Sequence, residues 1–352
     1  MKILHLPTSV GGNSWGLAQG EKALGLYSEV LIDANNWLNY KSDICLGLEN
    51  KNKVFQVAKR IETFLKVRNK YDVFHFNYGS TLVDFMNYGV HFWDLPFYKG
   101  KKIITYNGCD ARQKYPTMSR VDFSPCHQDN CYNGMCNNHK LDILRKKRIE
   151  KINNNIEHIF SVNPDLMYFL PKDKTTFLPY TVAGWDEIKI ENYVIDKKIK
   201  IIHSPTNRAA KGSNFILKAL ENLQKRYKNI EVILIEKIPY EEALKLYKEA
   251  HIVIDQVLIG WYGAFGVEVM KMGKPLGVFI REEDLKFIPK EMAQDLNDAI
   301  ININPYNIEE ELSKYVENID LLYKKSEASI EYVNKWHNPL YVASLTKQVY
   351  ES

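Results

Sequence analysis

Arg208 and Lys211 stand three residues apart in IIHSPTNRAAKGSNFILKALENL, residues 201–223, and Gly212 follows at once. A planar guanidinium fork and a compact ammonium so placed can neutralise a diphosphate, and a glycine lets backbone come close to it. Ser213 or Asn214 can cap the helix that follows, whose exposed N–H groups also favour an anion. Two cations in a loop are more often simply solvated, so the pair gains weight only from its company. The stretch DQVLIGWYGAFGVEVMKMGKP, residues 255–275, supplies it: Gly260, Gly263 and Gly266 run with Phe265 into a helix that carries Glu268. A glycine-rich loop entering a helix makes a pocket of backbone donors. Glu268 can accept hydrogen bonds from a ribose diol or merely complement the helix dipole, and spacing does not choose between the two.

Strands and helices must hold these loops. MKILHL, SEVLI, YDVFHF, KKIITY and IEHIFSV read as short strands, and KVFQVAKRIETFLKVRN places apolar residues at 54, 57, 61, 64 and 65, the helical period. The pattern restarts with KIKIIHS, a helix from Ser213, NIEVILI, YEEALKLYKEA, HIVIDQ, the glycine loop and KPLGVFI. Strands alternating with helices imply parallel sheets covered on both faces. The expected fold class is α/β, with two Rossmann-like domains facing across a cleft. Residues 1–183 form an N-terminal domain and 184–198 a linker. Residues 199–330 form the second domain, and a C-terminal helix within 331–352 packs back on the first domain.

A chain of 352 residues suits two domains, and a net charge of +4 with acidic residues nearly as numerous as basic ones does not suggest a nucleic-acid partner. No apolar run reaches the roughly 20 residues that span a bilayer. MKILHLP is short for a signal peptide, so the expected location is cytoplasmic.

The order strand, Arg…Lys-Gly, helix, strand, helix, HIVIDQ, GWYGAFGVEVMKMGKP resembles the donor half of GT-B glycosyltransferases, closest to the retaining enzymes of family four. The resemblance implies that Arg208 and Lys211 hold the diphosphate of a UDP- or GDP-sugar and that Glu268 binds its ribose. The family's other glutamate position is occupied here by Gly260. TSVGGNSWGLAQGEKALG is similar to the glycine loop that covers the diphosphate, which implicates Gly11, Gly12 and Asn13; Gly212, Gly263, Phe265 and Gly266 complete the donor set. YDVFHFNYGS, YNGCDAR, NPDL and FLPYTV resemble acceptor-side segments. The family implies that residues 1–183 are the acceptor-side domain and 199–330 the nucleotide-sugar domain, with transfer to a saccharide or lipid-linked saccharide, retention and no cofactor for catalysis. A nucleotide-sugar epimerase or hydrolase of the same fold is the alternative. The base pocket is expected to be backbone around 235–239.

Asp110 in GCDAR either positions the acceptor or caps its own turn. Asn107 stands where the family often has a histidine. His75 is assigned to the acceptor side, with a satisfied core histidine as the competing role. Cys126, Cys131, Cys136 and His139 supply four zinc-competent groups, with Cys109 as an alternative ligand; the expectation is a structural zinc in a Cys-rich insertion, about 109–140, or else reduced thiols. A zinc-containing nucleic-acid-binding protein is a further alternative, but it leaves both glycine loops without a role. The basic helix LRKKRIEKI, 144–152, can rest on an anionic membrane at its inner face or can be a solvated surface.

Overall fold

The computed structural model describes residues 1–35, 41–190, 193–238 and 240–352. Its chain divides into two compact units. Met1–Gln113, Lys140–Trp185 and His337–Ser352 make the first; Lys114–His139 and Asp186–Trp336 make the second. Part of the expected linker, residues 191–192, lies outside the described residues.

The first unit is built on seven parallel strands: β1 (Lys2–Leu6), β2 (Tyr27–Ile32), β3 (Ile44–Cys45), β4 (Val73–Asn77), β5 (Lys101–Tyr106), β6 (His158–Ser161) and β7 (Thr175–Phe177). Their order is β3-β2-β1-β4-β5-β6-β7. Helices cover both faces of such a sheet, so β4 is buried at every position and shows no alternation. Leu4, Leu6, Phe74, Phe76, Ile104 and Ile159 form the centre of its core. The second unit holds β8 (Ile199–His203), β9 (Ile230–Leu234), β10 (Ile252–Ile254), β11 (Leu276–Val278) and β12 (Ile300–Asn302), parallel and in the order β12-β11-β10-β8-β9. The strand order reverses direction between β1 and β4 in one sheet and between β8 and β10 in the other. Ligands of open parallel sheets bind at such switch points, outside the carboxyl ends of the strands.

The helix Pro339–Glu351 belongs to the first unit and packs on the helix Asn13–Ala23. Gly20 makes this approach possible: a Cβ there would lie 2.0 Å from the Pro339 carbonyl oxygen and 3.0 Å from Ala343 Cβ. Gly20→Ala therefore forces the two helices apart. We expect a loss of about 3 kcal/mol, read as a lower denaturation midpoint, because overpacking against backbone cannot relax by a rotamer change. A shift of under a tenth of that would mean the helices slide freely.

Beneath this contact lies a buried polar cluster. Glu21 accepts hydrogen bonds from His5 Nε2 (2.8 Å), Ser28 Oγ (2.6 Å), Tyr350 Oη (2.9 Å) and Thr346 Oγ1 (3.2 Å). His75 Nδ1 lies 2.6 Å from the same Tyr350 hydroxyl, and its Nε2 lies 2.6 Å from Thr105 Oγ1. The acceptor-side assignment of His75 is thus corrected. Its ring is fully buried in a strand covered on both faces, both nitrogens are engaged, and burial holds its pKa well below the usual value.

Two further expectations change. The Cys-rich stretch Lys114–His139 groups with the second unit rather than the first. Arg120 bonds Asp284 Oδ1 at 3.0 Å, and Arg281 donates to the Phe123 carbonyl at 3.0 Å while lying over the Phe123 ring. The basic helix, Lys140–Asn153, does not present a continuous cationic face, because Arg145 and Arg148 are buried. Arg148 grips the Asp84 carboxylate at 2.7 and 2.6 Å, donates to the Gly79 carbonyl at 2.8 Å and lies over the Phe92 ring. Among the described residues no helix is long and apolar enough to cross a membrane.

Candidate functional site

At the β8/β10 switch point the chain turns from His203 into two consecutive helices, Arg208–Lys211 and Ser213–Arg226. Asn207 caps the first, its side chain accepting from the Ala210 N–H at 2.9 Å. Gly212 joins them with φ +75°, and a Cβ there would fall 2.7 Å from Val257 Cγ2 and 2.9 Å from Leu258 Cγ. Both the left-handed backbone and the lack of space demand glycine.

His203 fixes this junction. Its Nδ1 lies 2.9 Å from the Ile254 carbonyl, which only accepts, so Nδ1 carries the proton and Nε2 accepts from Ser213 Oγ at 2.8 Å. Burial holds the imidazole down to about 4, so it stays neutral while it ties β8, β10 and the helix start together.

Both cations are already counter-charged by acids from neighbouring strand ends. Lys211 Nζ bonds Asp255 Oδ1, just beyond β10. Asp255 is 1% exposed, and its Oδ2 has no hydrogen-bond partner among the described residues. Arg208 forks onto Glu236, beyond β9, with contacts of 2.7 and 2.6 Å. The two pairs differ in kind. Arg208–Glu236 is open to solvent, where water and salt compete with the pair and an incoming anion can exchange for it. Lys211 is anchored to a buried carboxylate and offers a positionally fixed charge.

The glycine-rich loop is organised by Gln256, which is fully buried. Its amide nitrogen donates to the Trp261 and Phe279 carbonyls at 3.1 and 3.0 Å, and its oxygen accepts from the Leu258 and Ile259 N–H groups. Gly263 precedes the helix Ala264–Lys271, and a Cβ there would meet nothing within 4 Å, so packing does not demand its smallness. Gly266 is different: a Cβ there would meet Tyr262 Cβ at 2.9 Å and Leu276 Cδ2 at 3.0 Å, so its smallness serves packing. Phe265 packs edge-on against Tyr247 at 5.3 Å between centroids, and the Tyr247 hydroxyl lies 2.7 Å from Ser204 Oγ.

Glu268 is half-buried and accepts no side-chain hydrogen bond from any described residue. Burial pushes its carboxyl from 4.5 up to about 8. A folded-state value raised above the unfolded one contributes stability that is complete below pH 4.5 and lost as pH rises through about 8. Glu268→Gln should therefore melt progressively higher than the wild type as pH rises across that window. Parallel melting curves for the two proteins at every pH would show that the carboxyl is solvated after all. Of the expected base pocket at 235–239, the Ile235 N–H bonds the His203 carbonyl at 2.9 Å, and residue 239 lies outside the described residues.

In the first unit, Gly11 and Gly12 have φ values of +64° and +70° and lead into the helix Asn13–Ala23. Asn13 is corrected from ligand contact to fastener: it is 2% exposed, and its side-chain oxygen accepts from the Thr181 N–H at 2.9 Å. Asp110 takes the turn role. Its carboxylate accepts from the Asn107 N–H at 2.9 Å and the Gly108 N–H at 2.6 Å, so it shapes the loop after β5. The Asn107 carbonyl in turn accepts from Asn163 Nδ2 and from the Tyr180 hydroxyl. Arg112 pairs with Asp165 at 2.6 and 2.9 Å, joining GCDAR to NPDL.

Among the described residues the one group of three or more potential ligand atoms within 4.8 Å of one another is His5, Glu21 and His75, the buried cluster described above. His139 instead stacks on Tyr115, centroids 3.4 Å apart and planes 13° off parallel. Cys109 belongs to the first unit, whereas Cys126, Cys131 and Cys136 belong to the second. Among the described residues no group of ligand atoms gathered within 4.8 Å includes these cysteines or His139.

No protein-family model matches the sequence, and no curated protein matches it. Solved structures do match in shape. Sucrose-phosphate synthase from Thermosynechococcus elongatus aligns with a TM-score of 0.63 at 14% identity, covering 100% of this chain and 98% of that one. A UDP complex of MnaA from S. aureus aligns at 0.54 and 13% identity, covering 99% and 96%. UDP-GlcNAc 2-epimerase from Neisseria meningitidis, bound to UDP-GlcNAc, aligns at 0.53 and 16%, covering 99% of each chain. At such identities the likeness establishes the fold, GT-B, built of two Rossmann-like domains.

Proposed function

We propose that this chain binds a nucleotide-diphosphate sugar at the β8/β10 switch point and transfers the sugar to a saccharide or lipid-linked saccharide. The observation that carries the reading is the placement of Lys211. A cation held on a buried carboxylate stands one residue before a glycine-linked helix start, at the carboxyl edge where the strand order reverses. Arg208 supplies a second, exchangeable charge. Departure of a nucleoside diphosphate develops negative charge on its oxygens, and fixed donors aimed there stabilise that charge without reorganisation. The Gly263 N–H at the next helix start and the Glu268 carboxyl, which accepts no side-chain hydrogen bond among the described residues, complete a site suited to a diphosphate and a ribose diol. With retention, the acceptor hydroxyl attacks from the face the diphosphate leaves, and a diphosphate oxygen takes its proton; the protein's own cations meet the charge.

The structures that match in shape include a sucrose-phosphate synthase and complexes with UDP and UDP-GlcNAc, which supports nucleotide-sugar use. They include a 2-epimerase, which is the second reading. Epimerisation needs an acid and a base about the sugar C2. Among the described residues of the second unit, Tyr247 is the titratable group that feels the Glu268 charge; burial raises its pKa and its hydroxyl is engaged by Ser204, so it is a poor base partner and transfer is preferred.

The test is a melting-temperature screen against UDP, GDP, ADP and their common sugars, followed by mass and NMR analysis of products. One nucleotide should raise the melting temperature, and Arg208→Ala should diminish the shift. A C2 epimer among the products would transfer the assignment to the second reading. No stabilisation of the folded protein by any nucleotide would overturn both.

A further inference from the structure

A separate cavity of about 240 Å³ opens in the first unit at the carboxyl ends of β1 and β2, lined by residues 7–10 and 32–35. Its frame is fixed: the Asp33 N–H donates to the Pro7 carbonyl at 2.9 Å, and Ser14 Oγ donates to the Thr8 carbonyl at 3.1 Å. Its polar atoms are not satisfied. Thr8 Oγ1, Ser9 Oγ and Asp33 Oδ1 are all withdrawn from solvent, and none has a hydrogen-bond partner among the described residues. Ser9 is 8% exposed. Asp33 spends its other oxygen on Arg60, 2.6 Å away, and burial still pushes its carboxyl up to about 6.

Buried polar atoms in folded proteins are nearly always paired, and each unmade bond costs about 1–3 kcal/mol. Three such atoms around one cavity, from two adjacent strand ends, define a place where a partner supplies the missing bonds. Their chemistry narrows the partner. Two hydroxyls can each donate and accept, and a carboxyl oxygen accepts, which is the complement of neighbouring alcohol groups. Asp33 is already paired with Arg60, and no cation lines the cavity to hold a phosphate or carboxylate. The volume is below the roughly 300–1,000 Å³ of sites for drug-sized ligands, which suits one ring rather than a chain.

We propose that this cavity is the subsite for a single neutral hydroxylated ring, a pyranose or cyclitol, of the acceptor. The assignment of that ring to an acceptor rests on the transferase reading above; the ring-binding itself does not.

Full-length wild type, Ser9→Ala, Thr8→Val and Asp33→Asn, each checked for folding by its melting curve, would be titrated with glucose, galactose, N-acetylglucosamine and myo-inositol by saturation-transfer NMR. The same samples would be titrated with UDP and GDP. At least one neutral ring should bind. Ser9→Ala should weaken it about tenfold, the loss of one hydrogen bond, and Asp33→Asn, which lies outside the glycine loop, should weaken it with nucleotide binding unchanged. Thr8→Val keeps the test decisive if Asp33→Asn fails to fold. Absence of ring binding in a protein that binds nucleotide would overturn the proposal, leaving ordered water as the occupant. So would ring binding indifferent to Ser9 and Thr8, or glucose 6-phosphate binding as well as glucose. Ring binding sensitive to Ser9 in a protein that binds no nucleotide would uphold the cavity while the donor reading falls.

Discussion

Lys211→Met should lower turnover of the nucleotide-sugar by about 10²–10³-fold, the usual loss when one preorganised charge-stabilising donor is removed from a departing oxyanion. It should also destabilise the second unit by about 3 kcal/mol. Asp255 is 1% exposed and would be left as a buried carboxylate without its cation, which is the expensive way to break an ion pair. The two consequences can be separated. Adding Asp255→Asn removes the stranded charge and should recover most of the stability but none of the activity. Urea midpoints and single-turnover rates on all three proteins decide the matter. A single variant with more than a tenth of wild-type turnover would show that Lys211 does not meet the leaving group. A double variant as active as the wild type would be equally damaging.

Glu21→Leu should cost about 4 kcal/mol, among the larger effects of one substitution. His5, Ser28, Thr346 and Tyr350 all direct a donor at this carboxylate within the core. A leucine fills the volume but leaves those donors without an acceptor, each at the price of its desolvation. Glu21→Gln keeps one accepting oxygen and should lose about half as much. Chemical denaturation gives the magnitude, and limited proteolysis near Pro339 reports whether the C-terminal helix is the part released. A leucine variant within 1 kcal/mol of the wild type would mean that the cluster is tolerated rather than used.

What could be read from the sequence was the local part. KIKIIHS, the Arg208–Gly212 spacing and the GWYGAFG loop announce themselves because strand, turn and helix signals are contiguous there. The partners that give those residues their properties do not. Glu236 lies 28 positions from Arg208, and Asp255 lies 44 from Lys211, and no local pattern encodes an ion pair over that distance. His203 and Gln256 carry no local signal for the same reason, since their bonds run across strands and around a loop. In the helix Lys140–Asn153 the basic run hides two different fates. Arg148 turns inward because Asp84 and Phe92 wait on another element, while Lys146 and Lys147 stay in water. β3, β7 and β12 are two or three residues long, too short to show a period. The cysteine loop had suggestive composition but depended on convergence in space, which composition cannot supply.

The interleaving of the two units has a consequence for how the chain is made. The first unit takes its last helix from Pro339–Glu351, and the acceptors of Tyr350 and Thr346 lie on Glu21. Until the ribosome has translated past Tyr350, the small-residue face around Gly20 and the carboxylate of Glu21 have no cover. The first-made domain is thus the last to be completed, after the whole of its neighbour has emerged. A nascent chain stalled before residue 339 should remain open to protease in its opening segment, and it becomes resistant only once Pro339–Glu351 has cleared the ribosome.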